Sequence, residues 1–197
     1  AHQLAHFPGA GDAGVEAFVD LIHRAHAASA VNSQLLDPVY LPAWLGNAAK
    51  AFRAAGRYVD AEAAWRQQHR LYQAHVTTRP VAAMNLFYGP LCSLADMLDE
   101  LGSQSLAIAV RREYVADVET ITSRFEQVGS QRHAECARLG YQCLWSAQYE
   151  LVVSLVQAEP DGFDWHEIED LTRQLLAREE ALEWSPVLYH RSLNQLA

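Results

Sequence analysis

Residues 45–61, LGNAAKAFRAAGRYVDA, and residues 91–107, LCSLADMLDELGSQSLA, are the two stretches on which the fold turns. Shifted by 46 residues, Leu45 falls on Leu91, Ala49 on Ala95, Phe52 on Leu98, Gly56 on Gly102 and Ala61 on Ala107. The apolar positions ahead of each glycine recur at helical spacing and mark one face of a helix. The glycine permits a tight reversal, and the alanine after it lets the returning helix approach closely. Each stretch therefore reads as an antiparallel helical hairpin. A proline lead-in repeats too, with a two-residue slip: Val39-Tyr40-Leu41-Pro42 against Phe87-Tyr88-Gly89-Pro90. One such hairpin leaves an apolar face in water, so two in series are expected to stack.

Working outward, Asp12 can cap a first helix carrying Val15, Phe18, Ile22, Ala25 and Ser29 along a narrow face. A loop follows through Asp37-Pro38, and Leu41-Pro42 starts the next helix, which ends at Gly56. From Tyr58 the return helix turns Ala61, Trp65 and Leu71 or Tyr72 inward and fades near Thr77-Thr78-Arg79-Pro80. Beyond Ser130 the repeat lapses, because Gln148 stands where a third glycine is due. One long helix is expected instead from Gln131 to Ala158, apolar on most sides through Ala137, Tyr141, Leu144, Trp145, Leu151, Val152 and Leu155, and so the best buried of all. Pro160-Asp161-Gly162 reads as a turn, and Asp164 with Glu167 offers a capping box for a helix whose Ile168, Leu171, Leu175 and Leu182 point inward. Ser185-Pro186 opens a last short helix with Val187, Leu193 and Leu196. The expectation is an all-α chain of about eight helices with no strand, since β-branched residues never alternate with polar ones over a strand's length.

The pattern of Leu, small, large, Gly turn and Ala resembles the tetratricopeptide repeat, met by Leu45, Ala49, Phe52, Gly56 and Ala61 and again by Leu91, Ala95, Leu98, Gly102 and Ala107. The resemblance covers roughly residues 42 to 125. The extra residues per unit are similar to the long repeats of actinobacterial signalling proteins. Two positions depart from the family: Trp44-Leu45-Gly46 lacks the usual first aromatic, and Arg111 stands where a large apolar residue is usual. The resemblance implies a short right-handed solenoid of antiparallel hairpins forming one domain over 1–197. Its parts would be an N-terminal helix and loop at 1–41, repeats at 42–79 and 80–127, a degenerate hairpin at 130–182 and a closing helix at 186–197.

Composition agrees with helix and narrows the function classes. The chain holds 32 alanines against 10 glycines, and with 197 residues, half of them hydrophobic, it can bury a core without staples. Its formal net charge of −9 repels phosphate backbones and anionic lipid, and the adjacent basic pair Arg111-Arg112 lies between apolar positions, so neither nucleic acid nor membrane is an expected partner. The most membrane-like stretch, 139–158, is interrupted by Gln142, Gln148, Glu150 and Gln157. Three cysteines without CxxC spacing read as free thiols and fit a cytoplasmic location; Cys136 and Cys143 would lie about 10.5 Å apart along a helix, too far to bridge. The chain opens at Ala1 without methionine or an apolar leader, which reads as a segment excised from a larger signalling or regulatory protein.

The resemblance also implies an inner face formed by the first helix of each hairpin, where tetratricopeptide proteins hold an extended peptide or partner helix. Those positions are Asn47, Lys50 and Arg53 in the first unit and Ser93, Asp96, Asp99 and Glu100 in the second. Lys50 is the only lysine in the chain. Two readings stay open for it and Arg53. They either grip a partner's carboxylate, or Lys50 faces Asp96 and Arg53 faces Asp99 as exposed ion pairs worth about 0.2–1 kcal/mol each. No metal or other cofactor is expected. Asp20, His23 and His26 cannot share one ion, because the third is turned about 240° from the first. His133 and Cys136 lack a third ligand. No GxSxG, GxxxxGK[ST] or HExxH motif occurs, and Gly9-Ala10-Gly11-Asp12-Ala13-Gly14 follows no strand and precedes no lysine. Trp44, Tyr40, Phe87 and Tyr88 are expected to cluster where the proline lead-ins meet. The sequence thus points to a non-catalytic protein- or peptide-binding module. A ligand-sensing regulatory domain is the alternative, and a metal enzyme on a helical bundle stands further off.

Overall fold

The computed structural model describes residues 40–76, 89–128, 131–158 and 165–182, with residues 16, 17, 20, 24 and 27 of an earlier helical stretch. Within them the chain is all-α: α1 Tyr40–Ala54, α2 Tyr58–His75, α3 Pro90–Glu100, α4 Gln104–Val128, α5 Gln131–Gln157 and α6 Trp165–Leu182, with no strand among the described residues. The inward face expected at Val15, Phe18, Ile22 and Ala25, the aromatic pair Phe87 and Tyr88, the turn at 160–162, Asp164 and the helix after Ser185 lie outside the described residues. The chain divides into two compact units, residues 1–110 and 111–197.

In the first unit α1 and α2 form a hairpin, and α2 also packs on α3. The reversal after α1 is a Schellman turn. Gly56 adopts φ +73°, its amide donates to the Arg53 carbonyl at 3.0 Å, and the Arg57 amide donates to the Phe52 carbonyl at 2.9 Å. The same device follows α3. Gly102 adopts φ +71°, its amide donates to Asp99 O at 2.9 Å, and the Ser103 amide donates to Leu98 O at 2.8 Å. A left-handed residue closes each first helix and frees the chain to return antiparallel, so the paired glycines seen in the sequence have one backbone cause. Pro90 occupies the first turn of α3, where its missing amide costs nothing. Pro42 sits in the first turn of a helix that has already begun at Tyr40.

The 46-residue shift is obeyed by burial more widely than by residue identity. Leu45, Ala48, Ala49 and Phe52 are buried, and so are Leu91, Leu94, Ala95 and Leu98. In the return helices Ala61, Ala64, Trp65, Gln68, His69, Tyr72 and Val76 are buried, as are their counterparts Ala107, Val110, Arg111, Tyr114, Val115, Val118 and Thr122. Of the two residues left open in α2, Tyr72 is the buried one and Leu71 is half-buried. Two residues singled out in the sequence, Gly46 and Arg111, have local physical reasons. Gly46 is a glycine because the Gln68 side chain lies across it, 2.6 Å from where a Cβ would stand, held there by donating to Tyr72 Oη at 2.9 Å. Arg111 is buried at the place Trp65 holds in the first hairpin, so a long aliphatic stem fills a position otherwise taken by a ring.

The second unit contains the later turns of α4 with α5 and α6. Residues 144–148 of α5 are all buried, which a helix achieves only when neighbours enclose it on every side. This helix, expected to be the best buried of all, is not so outside that stretch: Tyr141 and Val152 are half-buried, and buried residues make up a smaller share of α5 than of α1 or α3 among the described residues. α5 packs on α6, and at their crossing Gln148 Nε2 donates to Gln174 Oε1 at 2.9 Å. The glutamine that replaces the expected third glycine thus serves as a buried polar link within a continuous helix. Thr122 and Ser154, both buried, donate to the carbonyls of Val118 and Glu150 at 2.8 Å, so neither hydroxyl carries a desolvation penalty. Ile168, Leu171 and Leu175 form the buried stripe of α6, while the side chain of Leu182 is outside the described set. Glu167 turns its carboxylate to Arg112 of α4, 2.7 Å from Nε.

Candidate partner-binding face

α1 and α3 are the helices whose outward sides carry the charged positions singled out above, and both lie in the first unit. Each buries four apolar residues of its Leu-small-large face. That burial turns residues 47, 50 and 53 of α1, and 93, 96 and 99 of α3, away from the core. Asn47 and Ser93 are half-buried, whereas Lys50, Asp96 and Asp99 are exposed. Arg53 is intermediate and forms an ion pair through Nη2 with Oε1 of Glu100.

That ion pair brings the C-terminal ends of α1 and α3 alongside one another. Its carboxylate is Glu100, the neighbour of the Asp99 named from the sequence, because the residue after Asp99 on the last turn of α3 reaches toward α1. Asn47, Asp96 and Asp99 are each engaged in interactions of their own. The face therefore carries an ammonium and a guanidinium on one helix against three carboxylates on the next. Chemically this arrangement can bind. It presents charged donors and acceptors on rigid helices, which suits recognition of an extended or helical segment of mixed charge.

One residue of this unit escaped the sequence reading. Arg57, immediately after Gly56, stacks its guanidinium over the Phe52 ring at 4.8 Å from the centroid. It bonds Asp60 through Nε at 2.7 Å and pairs with Glu16 of the earlier helical stretch. Those side-chain hydrogen bonds, first Asp60 and then Glu16, raise its pKa above the ordinary arginine value. The signal was present in the sequence, since the residue after a Schellman glycine commonly packs back on the last helical turn.

The histidines and cysteines separate by environment. His69 is buried in α2, and the His133 ring stands 6.1 Å from that of Phe125 at a tilt of 51°. Asp20 pairs with Arg24 on its own helix, and His23 and His26 lie outside the described residues. Among the described residues, no group of three or more His, Cys, Asp or Glu is arranged to hold a metal ion. Cys92, Cys136 and Cys143 are not joined in disulfides. Burial pushes the Cys143 thiol up to about 11, so it is almost wholly protonated at neutral pH and a poor nucleophile. No helix among the described residues is long and apolar enough to cross a membrane. Of the aromatic cluster expected around the proline lead-ins, only Trp44 has a described side chain, and it is half-buried.

Compared with known proteins, the chain matches no family model and has no significant match among curated proteins or solved structures.

Proposed function

We propose that this chain is a tetratricopeptide-like, non-catalytic interaction module that takes a protein or peptide partner across the outward sides of α1 and α3. One observation carries this reading: the duplicated Schellman-turned hairpin, whose 46-residue repeat governs burial at eleven paired positions of its four helices. Duplication of a hairpin sets equivalent surfaces side by side, and equivalent surfaces in series make a long binding track from short helices. Asn47, Lys50, Arg53, Ser93, Asp96 and Asp99 supply that track with groups of both signs. Steering and register would come from these charges, and affinity from whichever partner side chains desolvate between them.

The test is selection of peptides from a displayed random library on immobilised protein, followed by titration of the recovered sequences against Lys50→Glu. The expected result is recovery of related sequences carrying a carboxylate, with affinity falling about tenfold or more in the variant. Recovery of no common sequence, or equal affinity for wild type and Lys50→Glu, overturns the reading.

A further inference from the structure

We draw no further inference here: the strongest candidate, the apolar surface patch on α5 where Tyr149, stacked on the Trp145 ring, and Val156 stand exposed, carries nothing because nothing in the structure shows what covers it.

Discussion

Gly140 of α5 and Thr122 of α4 pack so closely that a Cβ on the glycine would stand 3.1 Å from both Cβ and Cγ2 of the threonine. Thr122 is buried, and its hydroxyl is committed to the Val118 carbonyl, so the branched side chain has no room to yield. Gly140→Ala is expected to lower stability by about 1–2 kcal/mol. Overpacking costs roughly 1–3 kcal/mol, and the better helix propensity of alanine offsets about 0.5–1 of it. Gly46→Ala is expected to cost less, because the atoms it meets are the far end of Gln68, which can swing aside by giving up its bond to Tyr72. Urea titration of both variants checks the ranking. Thr122→Ala in the Gly140→Ala background should recover part of the loss, as expected for residues in direct contact.

The two turn glycines make a paired test of the repeat. Gly56 and Gly102 hold nearly the same positive φ, and neither has an atom within 4 Å of where a Cβ would sit. Any penalty for alanine is therefore backbone strain alone. Gly56→Ala and Gly102→Ala are each expected to cost about 1–2 kcal/mol, and the asparagine variants distinctly less. Unequal losses would mean that the turns are not equivalent.

How much of this was legible beforehand follows from the same residues. The hairpins were readable because a positive-φ glycine and a helical apolar stripe are local signals, written within a dozen residues of each other. The partner of Arg53 was harder to read. Whether a guanidinium meets residue 99 or residue 100 depends on a fraction of a helical turn between two helices that are distant in sequence. The role of Gln148 was equally hidden. A missing glycine announces only that the repeat has stopped, whereas the bond to Gln174 requires knowing that α6 crosses at that height. The reason for a glycine at 46 was also hidden, because the Gln68 side chain that occupies its side-chain space comes from the next helix.

Alkaline pH should expose the buried thiol. The pKa of Cys143 is raised by burial from 9.0 to about 11, so the folded state holds its proton more tightly than the unfolded chain does. Its contribution is fully present below about pH 8 and is lost as pH rises from 9 through 11. By linkage it amounts to something on the order of 2 kcal/mol. Tyr72, raised above its usual value by burial, pulls in the same direction at still higher pH, against the opposing effect of the Gln68 hydrogen bond. Denaturant melts between pH 8 and 11 should show stability falling in wild type and falling less steeply in Cys143→Ala.

The fork between Arg112 and Glu167 joins α4 to α6, with Nε to Oε1 at 2.7 Å and Nη2 to Oε2 at 2.5 Å. Two parallel bonds give geometric selectivity, but the Arg112 side chain is about half exposed and solvent screens the pair. Arg112→Lys, which keeps the charge and loses the fork, is expected to cost no more than about 0.5–1 kcal/mol. The difference from wild type should shrink in molar salt, whereas a loss that is insensitive to salt would point to packing of the arginine stem instead.

The Arg53–Glu100 pair allows stability to be separated from recognition. As an exposed ion pair it should contribute only about 0.2–1 kcal/mol, so Arg53→Glu is expected to shift the melting temperature slightly. The exchange Arg53→Glu/Glu100→Arg rebuilds the pair with its ends reversed and should restore that small loss. A partner reading the charges of α1 and α3 in order would meet a reversed pattern in the exchange variant and bind it as poorly as the single variant. Peptides selected on wild type, titrated against all three proteins, decide the matter. Recovery of binding along with melting temperature in the exchange variant would show that Arg53 serves to join the two hairpins and takes no part in recognition.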